Sequence, residues 1–501
     1  MVDFGALQQG FFLLFSGNNI MFIVLGVFYG IMTGALPGLT INTAIAILVP
    51  LTFGMEPTAA LIFLACIYMA AMYGGSITAI LINTPGHPGS ACTGFDGHPM
   101  TKQGEAGRAL GLALGASVIG GTFSYVFLML AMYPIAFFAI KFGPPEMFLL
   151  AIMGLSIIAG LGRGNFLKAF LAGLVGILIS SFGVAPTGTI RAHLGTPWLL
   201  NGAPTIPTMI GLLAFSEVLS MSVEQPGSKP AEKYISKRIG GQGVVKGMLE
   251  SLKYRKTSLI GSAIGTFVGA VPAVGGSIAA FLAYNQAKQT AKNPESFGTG
   301  NPEGIVAPET ANSASTGGAL ATTLAFGIPG GPSAAVIMSA MMLHGLIPGP
   351  RLFIDQMPMV YALILALFLS QPIMIIIGTV FSQAISGIAN VQAKILAPTV
   401  AVLCIIGSFA VRGSLFDVGF MIALGIIGFF MKKSGYPAFA MVLGLLLGPM
   451  SDTNIIRTAL RFDYDFSVFL TRPISLAIIV LIVILVLFPL IRKKIGNSGS
   501  I

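Results

Sequence analysis

Apolar residues run along this chain in long blocks that recur over nearly its whole length. The clearest blocks are Leu61–Ile82, Ala109–Ile140, Phe148–Leu161, Phe166–Phe182, Tyr361–Val380, Leu396–Val411, Phe416–Met431 and Ile474–Leu490. A helix of about 20 apolar residues crosses the hydrocarbon of a bilayer, and only helices or closed barrels satisfy their backbone there. The pattern predicts an all-α polytopic membrane protein with about a dozen crossings, counting blocks interrupted by Gly and Pro. Those interruptions predict broken helices or re-entrant hairpins.

The interruptions recur. Gly30-x-x-x-Gly34-Ala35-Leu36-Pro37 is matched by Gly265-x-x-x-Gly269-Ala270-Val271-Pro272. Gly74-Gly75 followed by Pro85-Gly86-His87-Pro88 is matched by Gly317-Gly318 followed by Pro329-Gly330-Gly331-Pro332. Arg163-Gly164-Asn165-Phe166 is matched by Arg412-Gly413-Ser414-Leu415. Three matches in one order, at an offset of roughly 240 residues, predict two related halves. Between them lies a basic window of Lys229, Lys233, Lys237, Arg238, Lys246, Lys253, Arg255 and Lys256, opposed only by Glu232 and Glu250. Arg492, Lys493 and Lys494 follow the last apolar block. Cytoplasmic loops collect Lys and Arg, so both places read as cytoplasmic. The expected organisation is an N-terminal interfacial segment (1–19), a first repeat (20–222), a basic cytoplasmic linker (223–257), a second repeat (258–465) and a C-terminal membrane helix with a basic tail (466–501). Odd numbers of crossings per repeat, plus one extra helix, make the repeats inverted, a common transporter architecture. Arg457, Arg461 and Arg472 then lie outside, balanced by Asp452, Asp463 and Asp465.

Composition agrees with the pattern. Of 501 residues 55% are hydrophobic and 9% charged, against about 25% charged in soluble proteins. The net charge of +10 sits at membrane loops, so it points to an anionic lipid surface and not to nucleic acid. Met1–Ser16 has no Lys or Arg before its apolar run, unlike a cleavable signal peptide. Cys66, Cys92 and Cys404 are odd in number and far apart, which suggests packing rather than a disulfide framework or zinc site. No Gly-Lys-Ser/Thr occurs, so the chain has no P-loop ATPase of its own.

Candidate chemistry follows from the breaks. Pro removes a backbone donor and Gly permits unusual dihedrals, and in hydrocarbon such a break survives beside protein or a wet cavity. In the first half Pro37 and Gly38 precede Thr40, Asn42 and Thr43; in the second Pro272 precedes Gly275, Gly276 and Ser277. The later breaks follow Asn83 and Thr84 with Pro85, Gly86, His87 and Ser90, and consist of Pro329, Gly330, Gly331 and Ser333 in the second half. A single break reads as a kink or a close-packed glycine seam. A break repeated in both halves points to a binding site. Ser90 and Ser333 are placed as N-caps, and helix starts carry free N–H groups and partial positive charge suited to an anion. The run after Ser90 is polar, whereas that after Ser333 is apolar. Oxygen groups of Thr84, Glu309, Asn312, Ser315 and Thr316 suit a cation. Two readings stay open for Glu309, a cation ligand or a helix cap, and two for His87, a titrating group or a packed turn residue. Arg163 and Arg412 either face carboxylates or snorkel at helix ends. Asn83, Thr84, Ser90, Asn312 and Ser333 are expected near one shared cavity. No metal site is expected.

Several strings resemble the large membrane subunit of tripartite tricarboxylate transporters: Gly34-Ala-Leu-Pro-Gly-Leu39, Ala71-Met-Tyr-Gly-Gly-Ser-Ile-Thr-Ala-Ile-Leu-Ile-Asn-Thr-Pro-Gly86 and Asp96-Gly-His-Pro-Met100. Gln103-Gly-Glu-Ala-Gly-Arg-Ala109, Ala307-Pro-Glu-Thr-Ala-Asn312 and Gly327-Ile-Pro-Gly330 add to them. Ser313 departs from the pattern, since the family often has a second Asn there. The resemblance implies a bacterial inner-membrane importer of carboxylates coupled to Na⁺ or H⁺, with a small membrane subunit and a periplasmic substrate-binding protein as partners. No cofactor is expected; Na⁺ would be cargo. A channel would use similar backbone-lined breaks, but no short filter-like element is evident. An intramembrane enzyme would need a nucleophile and base, and Ser90 with His87 reads instead as a capped turn.

Overall fold

The computed structural model describes residues 3–36, 39–139, 141–161, 166–193, 195–223, 240–271, 275–384 and 393–483. Pro37, Gly38, Pro272, Arg163, most of the basic linker and Arg492, Lys493 and Lys494 lie outside the described residues. The first half contains α1 (Phe4–Leu14), α2 (Asn19–Gly34), α3 (Ile41–Leu48), α4 (Pro57–Ile82), α5 (Ala91–Lys102), α6 (Ala106–Ala139), α7 (Pro144–Leu161) and α8 (Phe166–Ser180). A two-residue ribbon pairs Gly183–Val184 with Ile190–Arg191, and then α9 (Thr205–Met209) and α10 (Ser216–Val223) run on through a π-helical turn. The linker region contains α11 (Gly241–Ser251). The second half comprises α12 (Arg255–Ala270), α13 (Gly275–Thr290), α14 (Glu303–Phe326), α15 (Pro332–Leu343), α16 (Pro350–Asp355), α17 (Met357–Ala384), α18 (Ala393–Arg412), α19 (Leu415–Lys433), α20 (Ala438–Arg461) and α21 (Val468–Thr471).

Among the described residues six helical stretches are long and apolar enough to cross a membrane, or seven if α1 and α2, bent by 75°, form one span. Shorter apolar helices, α15 among them, hold much of the remaining apolar sequence. The expectation of about a dozen crossings therefore depends on these shorter segments as well.

Glycine seams set the packing, as close backbone approach requires where lipid removes the hydrophobic drive between helices. In α2, Gly26 lies against Phe63 and Cys66, and Gly34 against Gly74 of α4, so α2 and α4 are parallel. In α12, Gly261 lies against Ala307, and Gly269 against Ser315 of α14, a second parallel pair. A Cβ on Gly269 would stand 2.6 Å from the Ser315 Cα, and one on Gly30 2.7 Å from the Ala70 Cβ. Helix α6 parallels α14, joined by Ser117 to Glu309 and Tyr125 to Thr316. It opposes α17, where Gly121 meets Gln371 and Gly378 meets Leu114. Helix α17 in turn parallels α4, through Ser370 beside Cys66 and Ser382 bonded to Tyr73. The pair α2–α4 therefore runs opposite to α12–α14.

One face of the molecule is marked by α11, whose Val244 and Met248 pack on Gly111 and Gly115 of α6. There Arg108 donates to both Glu250 oxygens at 2.7 and 2.6 Å and holds that carboxyl below its ordinary value. Thr257 donates to Glu303 at 2.7 Å, bringing the starts of α12 and α14 to this linker face. The far end of α14 lies at the opposite face, where Ile328 packs with Leu149, Leu150 and Met450.

Candidate functional site

Helix α4 ends because Asn83 adopts a left-handed conformation, φ 53° and ψ 30°, donating its N–H to Thr78. The chain folds back so closely that Gly86 donates to the Gly75 carbonyl at 3.2 Å, and a Cβ on Gly86 would clash with the Gly34 carbonyl. The turn is then locked at His87. Its Nδ1 accepts from the Gly89 N–H at 3.1 Å, and the Ser90 hydroxyl donates to the His87 carbonyl at 2.8 Å. A short 3₁₀ turn, Pro88–Ser90, leads directly into α5.

This network fixes the amide of Asn312. Because Nδ1 accepts, the ring proton is on Nε2, 3.3 Å from the Met72 carbonyl. The Asn312 side chain is 3.2 Å from the same nitrogen, so an acceptor, the amide oxygen, belongs there. As placed, the amide nitrogen faces Nε2 and the unpartnered atom is Oδ1, although Asn312 is fully buried; the histidine tautomer calls for the two exchanged, which puts the NH₂ group in the position without a partner. A buried polar group without a partner is costly. Space beside it is kept by two glycines: a Cβ on Gly276 would stand 2.9 Å from that atom, and one on Gly89 would clash with it. Both glycines belong to helix starts, α13 and the turn opening α5, which pack on one another. Free N–H groups and the helix dipoles favour an anion at such a place.

Three residues earlier on α14, Glu309 is also fully buried. Its Oε2 accepts from Ser76 at 2.6 Å and Thr93 at 2.8 Å, and its Oε1 from Ser117 at 2.7 Å. These hydroxyls come from α4, α5 and α6. No ion pair to Glu309 exists among the described residues. A buried carboxylate needs a counter-charge or a proton, so the arrangement can accept a proton or present its oxygens to a cation.

The break in the second half repeats the geometry. Gly327 takes φ 65° and donates to Thr323. A Cβ on Gly330 would stand 2.5 Å from the Ala319 Cα and 2.7 Å from the Gly269 carbonyl. Beyond it Ser333 donates to the Asn42 Oδ1 at 2.6 Å. Thr40 caps α3 by accepting from the Thr43 N–H at 3.3 Å. The breaks thus pair crosswise: α3 of the first half meets α15 of the second, and the turn at His87–Ser90 meets α13. The pairs adjoin, because a Cβ on Gly331 would stand 3.8 Å from the Gly275 Cα.

Residues 20–443 match the tripartite tricarboxylate transporter TctA family. The chain belongs to this family. It is also 32% identical over 495 residues, 97% of each chain, to an Agrobacterium vitis protein described as an uncharacterized 52.8 kDa protein in the TAR-I ttuC' 3' region. A second Agrobacterium vitis protein, uncharacterized and in the TAR-II ttuC' 3' region, is 30% identical over 233 residues, 46% of this chain and 96% of its own length. No solved structure matches the chain.

Among the candidate residues, the structure brings together His87, Ser90, Gly275, Gly276 and Asn312, and beside them Asn42, Ser333, Gly330 and Gly331. Asn83, Thr84 and Pro85 are exposed instead, turned outward by the left-handed cap. The Ser315 and Thr316 hydroxyls bond back to the Asn312 and Ser313 carbonyls, Thr316 also meets Tyr125, and Ser277 is half-buried and Pro329 buried. Arg412 pairs with the buried Asp417, donating at 2.8 Å. Sequence reading missed Ser76, Thr93 and Ser117. The first two lie in or beside the family strings, but Ser117 carries no local signal. It also missed Asp96, whose Oδ1 accepts N–H groups of Gly298, Gly300 and Asn301 at 2.8, 3.0 and 2.7 Å, anchoring the loop that enters α14.

Proposed function

We propose that this chain is the large membrane subunit of a binding-protein-dependent secondary transporter that imports tricarboxylate or related carboxylate anions. The supporting observation is the Asn312 amide, buried without a partner between two helix starts, with the uncompensated Glu309 carboxylate one turn away. The amide and helix starts hold a substrate carboxylate, and Glu309 takes the coupling H⁺ or Na⁺ with the hydroxyls of Ser76, Thr93 and Ser117. The halves act as inverted repeats, together making about a dozen crossings, and transport runs by alternating access, with the broken-helix elements moving against a scaffold. The opposed directions of α2–α4 and α12–α14, and the equivalent close approaches of Gly86 and Gly330, support that reading. The chain works in the bacterial inner membrane with a small membrane subunit and a periplasmic substrate-binding protein.

The test is uptake of labelled citrate and succinate into proteoliposomes, with and without the partner proteins, under an imposed Na⁺ or H⁺ gradient. Saturable, gradient-dependent accumulation is expected. Flux that is neither saturable nor gradient-dependent would point to a channel and overturn the proposal.

A further inference from the structure

Among the described arginines on the face opposite the linker are Arg191, Arg351, Arg457, Arg461 and Arg472. Two are engaged by carboxylates, Arg191 with Asp452 at 2.9 Å and Arg472 with Glu146 at 2.6 Å. The other three, Arg351, Arg457 and Arg461, are in no ion pair among the described residues, and Arg461 lies over the Phe462 ring. All three line one cavity of about 780 Å³, within the range of small-molecule sites.

The rest of the lining decides what could bind. No Asp or Glu contributes to it. The walls are largely apolar, including Phe142, Met147, Leu446 and Met450, with Thr453 and Asn454 as neutral hydrogen-bonding groups. Low-dielectric walls strengthen the field of the guanidinium groups. A guanidinium grips a carboxylate with two parallel hydrogen bonds, so three around one cavity suit an anion bearing two or three carboxylates.

The cavity also leads inward. Met338 and Met342 of α15 line it, as does Gly327 of the second-half break. The other end of α15 carries Ser333, bonded to Asn42 at the central site. Twelve helical residues cover about 18 Å, so a single short helix joins the arginine cavity to that site.

We propose that this cavity is a receiving site for a small polycarboxylate on the face opposite the basic linker, with Arg351, Arg457 and Arg461 holding the anion before it passes along α15. The inference rests on the carboxylate-transport reading above. Its test uses the full-length chain with Arg351→Gln, Arg457→Gln and Arg461→Gln, singly and together, and citrate as the probe. Equilibrium binding is measured on purified protein, uptake in proteoliposomes, and folding by thermal unfolding. The triple variant is expected to weaken citrate binding and raise the uptake KM at least tenfold, with maximal rate within twofold and an unchanged unfolding temperature. Each single variant gives a smaller shift and covers the case in which the triple variant is unstable. A KM and citrate affinity within twofold of wild type in all variants would overturn the proposal. So would a defect seen only when the binding protein delivers substrate, which would make the cavity a protein-docking surface. If the wild type neither binds nor takes up citrate or succinate, the transport reading itself falls, and this inference with it.

Discussion

Glu146 and Glu309 are both fully buried carboxylates, yet their surroundings differ in kind. Glu146 accepts from Arg472 at 2.6 Å, from Ser475 at 2.6 Å and from the Gly143 N–H at 2.7 Å. Its charge is answered within the protein, and it staples the start of α7 to the segment after α21. Glu309 has three hydroxyls and, among the described residues, no cationic partner. Hydroxyls solvate a carboxylate but cannot neutralise it. The contrast separates a carboxylate neutralised by an arginine of the protein from one that needs a proton or a cation besides its hydroxyl partners.

Substituting Glu309 should have the largest effect. Glu309→Gln keeps the shape and removes the charge, and it should cut gradient-driven accumulation about 100-fold, or roughly 2.7 kcal/mol. Exchange of internal for external substrate should survive, because exchange needs no net ion movement. If the variant still accumulates substrate against a gradient, Glu309 does not carry the coupling ion. Next in size is Asn312→Asp, which sets a negative charge where the substrate carboxylate is proposed to sit. Like charges so placed cost several kcal/mol, so substrate affinity should fall at least about 30-fold; equilibrium binding is the measurement. The opposite pattern is expected on the other side of the comparison. Glu146→Gln should lower stability by roughly 2 kcal/mol, below the cost of breaking a fully buried pair because Arg472 is 34% exposed, visible as a lower unfolding temperature in detergent, while KM stays near wild type. A coupling defect there would erase the distinction drawn above. The smallest effect belongs to Ser117→Ala, which removes one of three hydrogen bonds at about 1 kcal/mol. It should shift the ion dependence of uptake several-fold without abolishing it.

The two carboxylates also show what could be read from the chain alone. Glu309 stood out because it falls in an apolar run beside Asn312, within a string shared with the family. Its hydroxyl partners come from residues 192 to 233 positions away, and no local pattern predicts such contacts. The positions of the breaks were legible because Gly and Pro act locally: the cap at Asn83 and the turn at Gly327 follow from backbone conformation. How the breaks pair was not, because Asn42 with Ser333 and Asn312 with His87 are contacts between halves. Thr84 is exposed together with Asn83 and Pro85 around the left-handed cap, whereas Gly86 and His87, two and three residues further on, are buried at the site.

The crosswise pairing has a mechanical consequence. The contacts of Asn42 with Ser333, of His87 with Asn312 and of Glu309 with its three hydroxyls each have one partner in each half, so a displacement of one half against the other must break them. Grip and motion are therefore the same coordinate. A solute bridging the halves would resist their displacement in the same way as these contacts do.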